Sequence, residues 1–497
     1  MQKIDMMVIV PHEDDELAIA GPMIYEAVKK ELNIKVVFST NGDFYAHEGE
    51  IRLKEAIKSL NVLGVKTEDI IFLGYGDQTK ECHLYNGDGD RVICAYNGND
   101  TTYGLPDMPE FAWMEYGEHH KYTRNHYKND IKEVLKKYLP QIIITTGWDI
   151  HMDHLALSLM IDETLGEILK EETDYHPLLL KSQAYTGKWE GNADYHEQKR
   201  TEYVNLSYGI EKEHPLNKWE DRICFSVPEE CKTKLLKCNI LYKAACAYKS
   251  QSVDLKAIQF INADLIFWRR PTESLLHHAK IEVTSGEKQF LNDFKCADCS
   301  DIINDYQNYD KSIWIPDAAD MQKRIDIELD KAEKISEIHF FENASSECQI
   351  MNIKIQFDNG KSVDTGELNH DGSRTRIILP EMPEVRTFSV VIDQWDGSDI
   401  GLTEIEIFDE MLELSQYPIP LSLWTVEDEE AAKILLSAKL EKMKLRMIQY
   451  GRGRLWPWKY YAMKRDDSLK ETDGMGRFWW KHFQFMLMKV GEKIKRK

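Results

Sequence analysis

Between residues 3 and 144, short apolar runs alternate with longer amphipathic stretches, and no other feature limits the possible fold as strongly. The runs at 6–10, 35–39, 69–73 and 141–145 predict strands, and 16–32, 48–63 and 124–138 predict helices, with another helix at 229–248 further along the chain. Strand and helix in alternation build βαβ units, hence a parallel sheet covered on both faces, which is why the runs are almost wholly apolar. Sheets of this Rossmann-like α/β class place their chemistry beyond the carboxyl ends of the strands. Two such ends are polar here. Pro11-His12-Glu13-Asp14-Asp15-Glu16 follows the first run, and His151-Met152-Asp153-His154 follows Ile142-Ile143-Ile144.

Imidazole and carboxylate at two strand ends of one sheet can supply both metal ligands and acid–base groups. Among His12, Asp14, Asp15, His151 and His154, one imidazole and one carboxylate from the first loop and one imidazole from the second make three protein ligands. That number leaves a catalytic zinc an open position for water. A carboxylate outside the ligand set can take the water's proton, and a spare imidazole can serve the oxyanion or the leaving amine. Either cluster by itself also reads as a solvated helix start, since acids at a helix N-terminus suit the macrodipole.

The residues carry a family resemblance. The strand followed by Pro-His-Glu-Asp-Asp-Glu resembles a motif of the LmbE-like/PIG-L de-N-acetylases, zinc enzymes acting on N-acetylglucosamine units, and His151 to His154 resembles their second motif. Thr40-Asn41-Gly42, Arg52-Leu53-Lys54-Glu55, Val62-Leu63-Gly64-Val65 and Tyr248-Lys249-Ser250-Gln251 resemble further signatures, so the likeness spans about residues 3 to 275. It implies His12, Asp15 and His154 as ligands of one zinc, a site iron(II) can also occupy. It further implies Asp14 as general base, His151 as the group that stabilises the tetrahedral intermediate and protonates the amine, Asp153 as the residue orienting His151, and Arg52 and Asn41 as substrate contacts. Glu13 departs from the family, where proline is common, and so does the long stretch 74–122, read here as an ordered lid.

From about residue 279 the period becomes two. Runs at 325–329, 335–340, 353–357, 376–379, 388–392 and 405–408, separated by turns such as Asp358-Asn359-Gly360, predict an antiparallel β-sandwich. It resembles the discoidin-like, galactose-binding-like sandwiches, which implies a glycan partner; the same strands also suit a sandwich that binds nothing. The expected domains are 1–275, 279–410 and a helical tail, 411–497.

Charge separates the tail from the rest. The chain carries a net −22, yet residues 439–497 hold 17 Lys and Arg against 6 Asp and Glu, +11 on a body of −33. An acidic body argues against nucleic acid. A tail interleaving Trp, Tyr, Lys and Arg suits either peripheral contact with an anionic membrane or packing on the acidic body. Without a leader or membrane span in the sequence, the expected location is the cytoplasm, and nine irregularly spaced cysteines fit reduced thiols. Cys296-Ala297-Asp298-Cys299, the one CxxC, lacks the second pair of a zinc finger. The whole reads as a hydrolase deacetylating an amino sugar on a glycoconjugate or lipid-linked glycan; a glycan-binding scaffold with an inactive enzyme domain and a non-haem iron oxygenase are the alternatives.

Overall fold

A computed structural model describes residues 3–413 apart from 81–82, 149–150, 185–188, 191–201, 204–214, 234–235, 256–260, 262–263, 297–311, 344–347, 380–383 and 399. The basic tail and Cys299 therefore lie outside the described residues. Residues 1–233 and 237–425 form one compact unit.

The apolar runs form the middle of a seven-stranded sheet. Its parallel strands are β1 (Met6–Val10), β2 (Ile34–Thr40), β3 (Ile70–Tyr75), β4 (Ile142–Thr146) and β5 (Leu178–Ser182), with all five residues of β1 buried, as a doubly covered sheet requires. Helices α1 (Asp15–Lys29), α2 (Gly49–Leu63), α3 (Phe111–Tyr116), α4 (Arg124–Tyr138) and α5 (Met152–Glu171) make the connections. A small pairing, β6 (Trp189–Glu190) with β7 (Glu202–Tyr203), precedes two strands absent from the sequence reading, β8 (Arg222–Ser226) and β9 (Asp264–Arg270). These two extend the sheet antiparallel, giving the order β3-β2-β1-β4-β5-β9-β8. The order reverses between β1 and β4, so a crevice opens at their carboxyl ends, directly before His12 and His151.

One expected element breaks. The helical pattern over residues 229–248 resolves into α6 (Glu229–Lys232) and α7 (Ile240–Ala245), because Asn239 stops one and starts the other. Its amide donates to Cys231 O and Thr233 O, and its Oδ1 accepts the Tyr242 N–H at the start of α7. Residues 76–123 pack as an ordered cover whose Ile93, Ala95, Phe111 and Tyr122 enter the same core as β1 and α5.

The second half is an antiparallel sandwich. Strands β10 (Lys280–Val283), β11 (Arg324–Lys334), β16 (Glu384–Gly397), β13 (Cys348–Phe357) and β14 (Ser362–Asp364) form one sheet, and β15 (Thr375–Ile378), β12 (Glu337–Glu342) and β17 (Leu402–Phe408) the other. Alternate residues such as Ile325, Ile327, Ile353, Ile355, Ile405 and Ile407 meet around buried Trp314.

β17 is buried on both faces. While Ile405 and Ile407 fill the sandwich, Glu406 pairs with Arg270 at the end of β9 and lies 3.1 Å from His339. Glu404 accepts the Phe294 N–H at 2.8 Å, and Phe294, a member of the α/β core, lies under the Arg270 guanidinium at 4.1 Å. Ser274 Oγ accepts the Ile407 N–H, so the short connection after β9 is itself bonded to the sandwich.

Candidate metal centre

The first loop is built to turn sharply. Asp14, the residue before α1, sits at φ 144°, a region that non-glycine residues adopt only at a cost, and it brings His12 and Asp15 onto one side of the strand end. Buried neighbours hold this shape. Tyr248 Oη donates to Glu16 at 2.6 Å, Gln251 Nε2 donates to Glu13 O at 2.8 Å, and Ser250 donates to Glu55. Residues 248–251 thus clamp the loop from the far end of the sequence.

Three donor atoms converge. His12 Nδ1 lies 3.1 Å from Asp15 Oδ2 and 3.2 Å from His154 Nε2, and the last two atoms are 3.1 Å apart. Ligand bonds of about 2.0–2.2 Å in a tetrahedral array have edges of about 3.3–3.6 Å, so this triangle, a few tenths of an ångström tighter, is of the size a single zinc needs. All three side chains are buried, at 5, 5 and 0% exposure. Burial would push the His12 imidazole down, but Asp77, Asp15 and Asp153 outweigh it and hold its pKa well above the ordinary value; burial likewise pushes the Asp15 carboxyl up, and His154 and His12 pull it below the carboxylate range. Such mutual dependence of acids and imidazoles packed together is what a cation at their centre would relieve.

The other ring nitrogen of His12 is held from behind. Its Nε2 lies 3.1 Å from Asp153 Oδ2 and 3.4 Å from Asp77 Oδ1. Two acceptors there hold the Nε2 proton and leave Nδ1, facing Asp15 and His154, as the atom from which a metal would displace a proton. Asp153, expected to orient His151, reaches it through its backbone N–H, while its carboxylate lies 4.0 Å from His151 Nδ1 and 3.1 Å from His12 Nε2 and so also aligns His12.

His151 stands beside the ligands, its ring 4.6 Å from that of His12 and 4.8 Å from that of His154. Its Nδ1 accepts the Asp153 N–H at 3.3 Å, and its Nε2 lies 3.1 Å from the Gln78 amide. Burial and the neighbouring His12 push its pKa down to about 4. Asp14 is nearby, 16% exposed, with its Oδ1 3.8 Å from the Arg52 guanidinium.

Asn41 and Arg52, expected at the substrate, are both buried and bonded to the loops around the site. Asn41 is fully buried and donates to Tyr103 O at 2.8 Å. Arg52 donates to Gly42 O and Glu13 O and lies within 3.8 Å of the carboxylates of Glu13, Asp14 and Asp77, the cation that lets three acids share a buried place. Burial pushes Glu13 up to about 8 in spite of Arg52, so it is largely uncharged at neutral pH.

Asp77 and Gln78 were absent from the sequence reading. Both follow β3, a third strand end on the same edge of the sheet. Burial pushes the Asp77 carboxyl up, and His12 and Arg52 more than reverse this. Gln78, at φ 55°, aims its N–H at Asp153 Oδ2, 2.9 Å away. With His12, His151 and Asp153, Asp77 forms a second group of ligand-type atoms within 4.8 Å of one another.

The sequence model described as GlcNAc-PI de-N-acetylase (PIG-L) matches residues 7–165, and one described as a domain of unknown function (DUF7402) matches residues 277–408. No curated protein matches the chain. Similar solved structures include a deacetylase of the teicoplanin biosynthesis pathway (18% identity, 50% of this chain and 86% of that one, TM-score 0.30). Another is the conserved protein TT1542 of Thermus thermophilus (16%, 51% and 83%, TM-score 0.28). Over the sandwich, the family 32 carbohydrate-binding module of Clostridium perfringens NanJ is similar (18%, 26% and 92%, TM-score 0.20).

Proposed function

Residues 7–165 are a domain of the GlcNAc-PI de-N-acetylase (PIG-L) family, and from that premise we propose that the chain is a zinc-dependent hydrolase removing the acetyl group from an N-acetylated amino sugar of a glycoconjugate. One observation carries the reading: His12, Asp15 and His154 form a closed triangle of donors without using Asp14 or His151, so a base and a hydrogen-bond donor for the oxyanion remain beside the ligands.

His12 Nδ1, Asp15 Oδ2 and His154 Nε2 would hold the ion. When bound, zinc supplies Lewis acidity and lowers the pKa of water to about 7. Asp14, held close by the strained turn, accepts the proton of the attacking water. His151 receives the Asp153 N–H on Nδ1, which leaves the ring proton on Nε2. Neutral at pH 7, that N–H donates a hydrogen bond to the developing oxyanion, and the proton that Asp14 took from the water is the one that ends on the leaving amine, which closes the hydrolysis. Arg52 lies within 3.8 Å of both Asp14 and Asp77, and against the upward push of burial His12 and Arg52 together hold the Asp77 carboxyl below the usual carboxylate range.

The test is acetate release from a panel of N-acetylglucosamine glycosides and lipid-linked sugars, run with zinc, with iron(II) and with chelator. Zinc-dependent release from the wild type, together with loss of bound metal in His12→Ala and His154→Ala, is the expected result. Full metal occupancy in both variants, or release that chelator leaves untouched, overturns it.

A further inference from the structure

Beyond the metal centre, the cover carries a group of aromatic rings unused by the chemistry above. Phe44 and Tyr45 follow β2, and Tyr96 comes from the far side of the cover. Phe44 and Tyr96 lie 5.2 Å apart with planes inclined by 34°, and Tyr45 meets Phe44 edge-on at 5.1 Å. Tyr96 is 53% exposed. A large aromatic surface kept in water at the mouth of a polar site has a hydration cost that a ligand would relieve.

The platform is rigid, and it is tied to the reacting residues. Asp43, fully buried, accepts from Asp77 N, Asn97 Nδ2 and Tyr103 Oη and so pins the β2 loop to the cover. Tyr96 N–H donates to Gln78 O at 3.0 Å. Gln78 in turn contacts both His151 and Asp153. One residue therefore separates the platform from the proposed hydrogen-bond donor to the oxyanion. Polar side chains border the rings, with His47 exposed and Asn97 alongside.

Resting on the deacetylase reading, we infer that Tyr96 and Phe44 form a subsite for a second sugar ring, the unit joined to the one that loses its acetyl group. A pyranose has an apolar C–H face and a hydroxyl edge, and the half-exposed Tyr96 ring, backed by Phe44 and bordered by polar side chains, matches both. An acyl chain would call for a continuous apolar groove, whereas the side chains next to these rings, His47 and Asn97, are polar. The chain thereby prefers oligosaccharides to a single amino sugar.

The experiment uses the zinc-loaded full chain with the methyl glycoside of N-acetylglucosamine, its β-linked trisaccharide and its octyl glycoside. Tyr96→Ala should raise KM for the trisaccharide about tenfold, the size of one aromatic stacking contact, leave the methyl glycoside unchanged, and be rescued by Tyr96→Phe, which keeps the ring. Trisaccharide affinity is measured separately by calorimetry on the zinc-loaded protein. If the wild type binds trisaccharide and Tyr96→Ala binds it about tenfold more weakly while neither releases acetate, the subsite stands and the deacetylase reading falls. Equal affinity and equal KM in wild type and Tyr96→Ala, no trisaccharide binding by the wild type, or an effect confined to the octyl glycoside overturns the subsite.

Discussion

Asp153→Asn separates two roles for one carboxylate. If Asp153 aligns His12, as its 3.1 Å contact with Nε2 indicates, the change weakens a charged hold on a ligand while the carboxamide oxygen still accepts the Gln78 N–H. Groups behind a ligating histidine typically govern 10- to 100-fold in metal affinity, or about 1.4–2.7 kcal/mol. Because one oxygen acceptor survives and Asp77 Oδ1 remains 3.4 Å from the same nitrogen, the lower half of that range is expected. Zinc competition against a chromogenic chelator at fixed pH reads the affinity, and turnover at saturating zinc reads the rest. The expected outcome is a dissociation constant raised about tenfold, with turnover within a few-fold of wild type once zinc saturates. Unchanged zinc affinity together with a large fall in turnover would refute the reasoning and return Asp153 to His151.

Asp14→Asn should retain zinc but lose about 10² to 10⁴ in turnover, the usual contribution of a general base; wild-type acetate release would show that Asp14 accepts no proton. Arg270→Met leaves Glu406 buried opposite His339, and breaking one side of such a pair costs about 3–5 kcal/mol. Spread over a unit of roughly 400 residues unfolding together at about 2.1 cal/mol/K per residue, this lowers Tm by about 4–6 °C; a shift beyond about 10 °C in calorimetry would mean that the sandwich unfolds by itself. Glu163 is mostly buried against Arg124 and Lys128, which outweigh the upward push of burial and hold its pKa down at about 2. A carboxyl lowered on folding contributes stability above its unfolded pKa and loses it as pH falls toward the folded one. Chemical denaturation between pH 5 and pH 2 should therefore show wild type losing up to roughly 3 kcal/mol more than Glu163→Gln, and parallel curves would count against it.

The parallel half of the sheet was readable because each strand is a nearly unbroken apolar run with a helix after it, and periodicity registers both. That His12, Asp15 and His154 could converge was readable for a local reason, since these residues fall within two short segments at strand ends. Asp77 and Gln78 belong to a cover whose order comes from long-range packing of Tyr122 and Phe111, which leaves no period along the chain. The signal available was their position just after β3, on the same edge as the other two loops. Strands β8 and β9 pair antiparallel at the far edge, a non-local choice that short mixed runs do not announce. Asn41 and Arg52 sit in motifs that could face a substrate, and only the three-dimensional structure shows how deeply both are buried. The alternation Glu404-Ile405-Glu406-Ile407 suggests a strand with one face in water, whereas its acids are buried against Arg270 and the Phe294 N–H.

Those acids have a further consequence. A binding module on a flexible tether helps its enzyme through effective concentration, which falls as the tether lengthens and tolerates substrates of many shapes. Here the connection after β9 is bonded to β17 of the sandwich and an ion pair joins the two cores, so among the described residues nothing acts as a tether. Any polymer held by the sandwich would meet the metal centre at one fixed spacing and orientation. The pair of sites would then behave as a ruler along the chain of a glycan, selecting by length and direction where a tethered module would select by proximity alone.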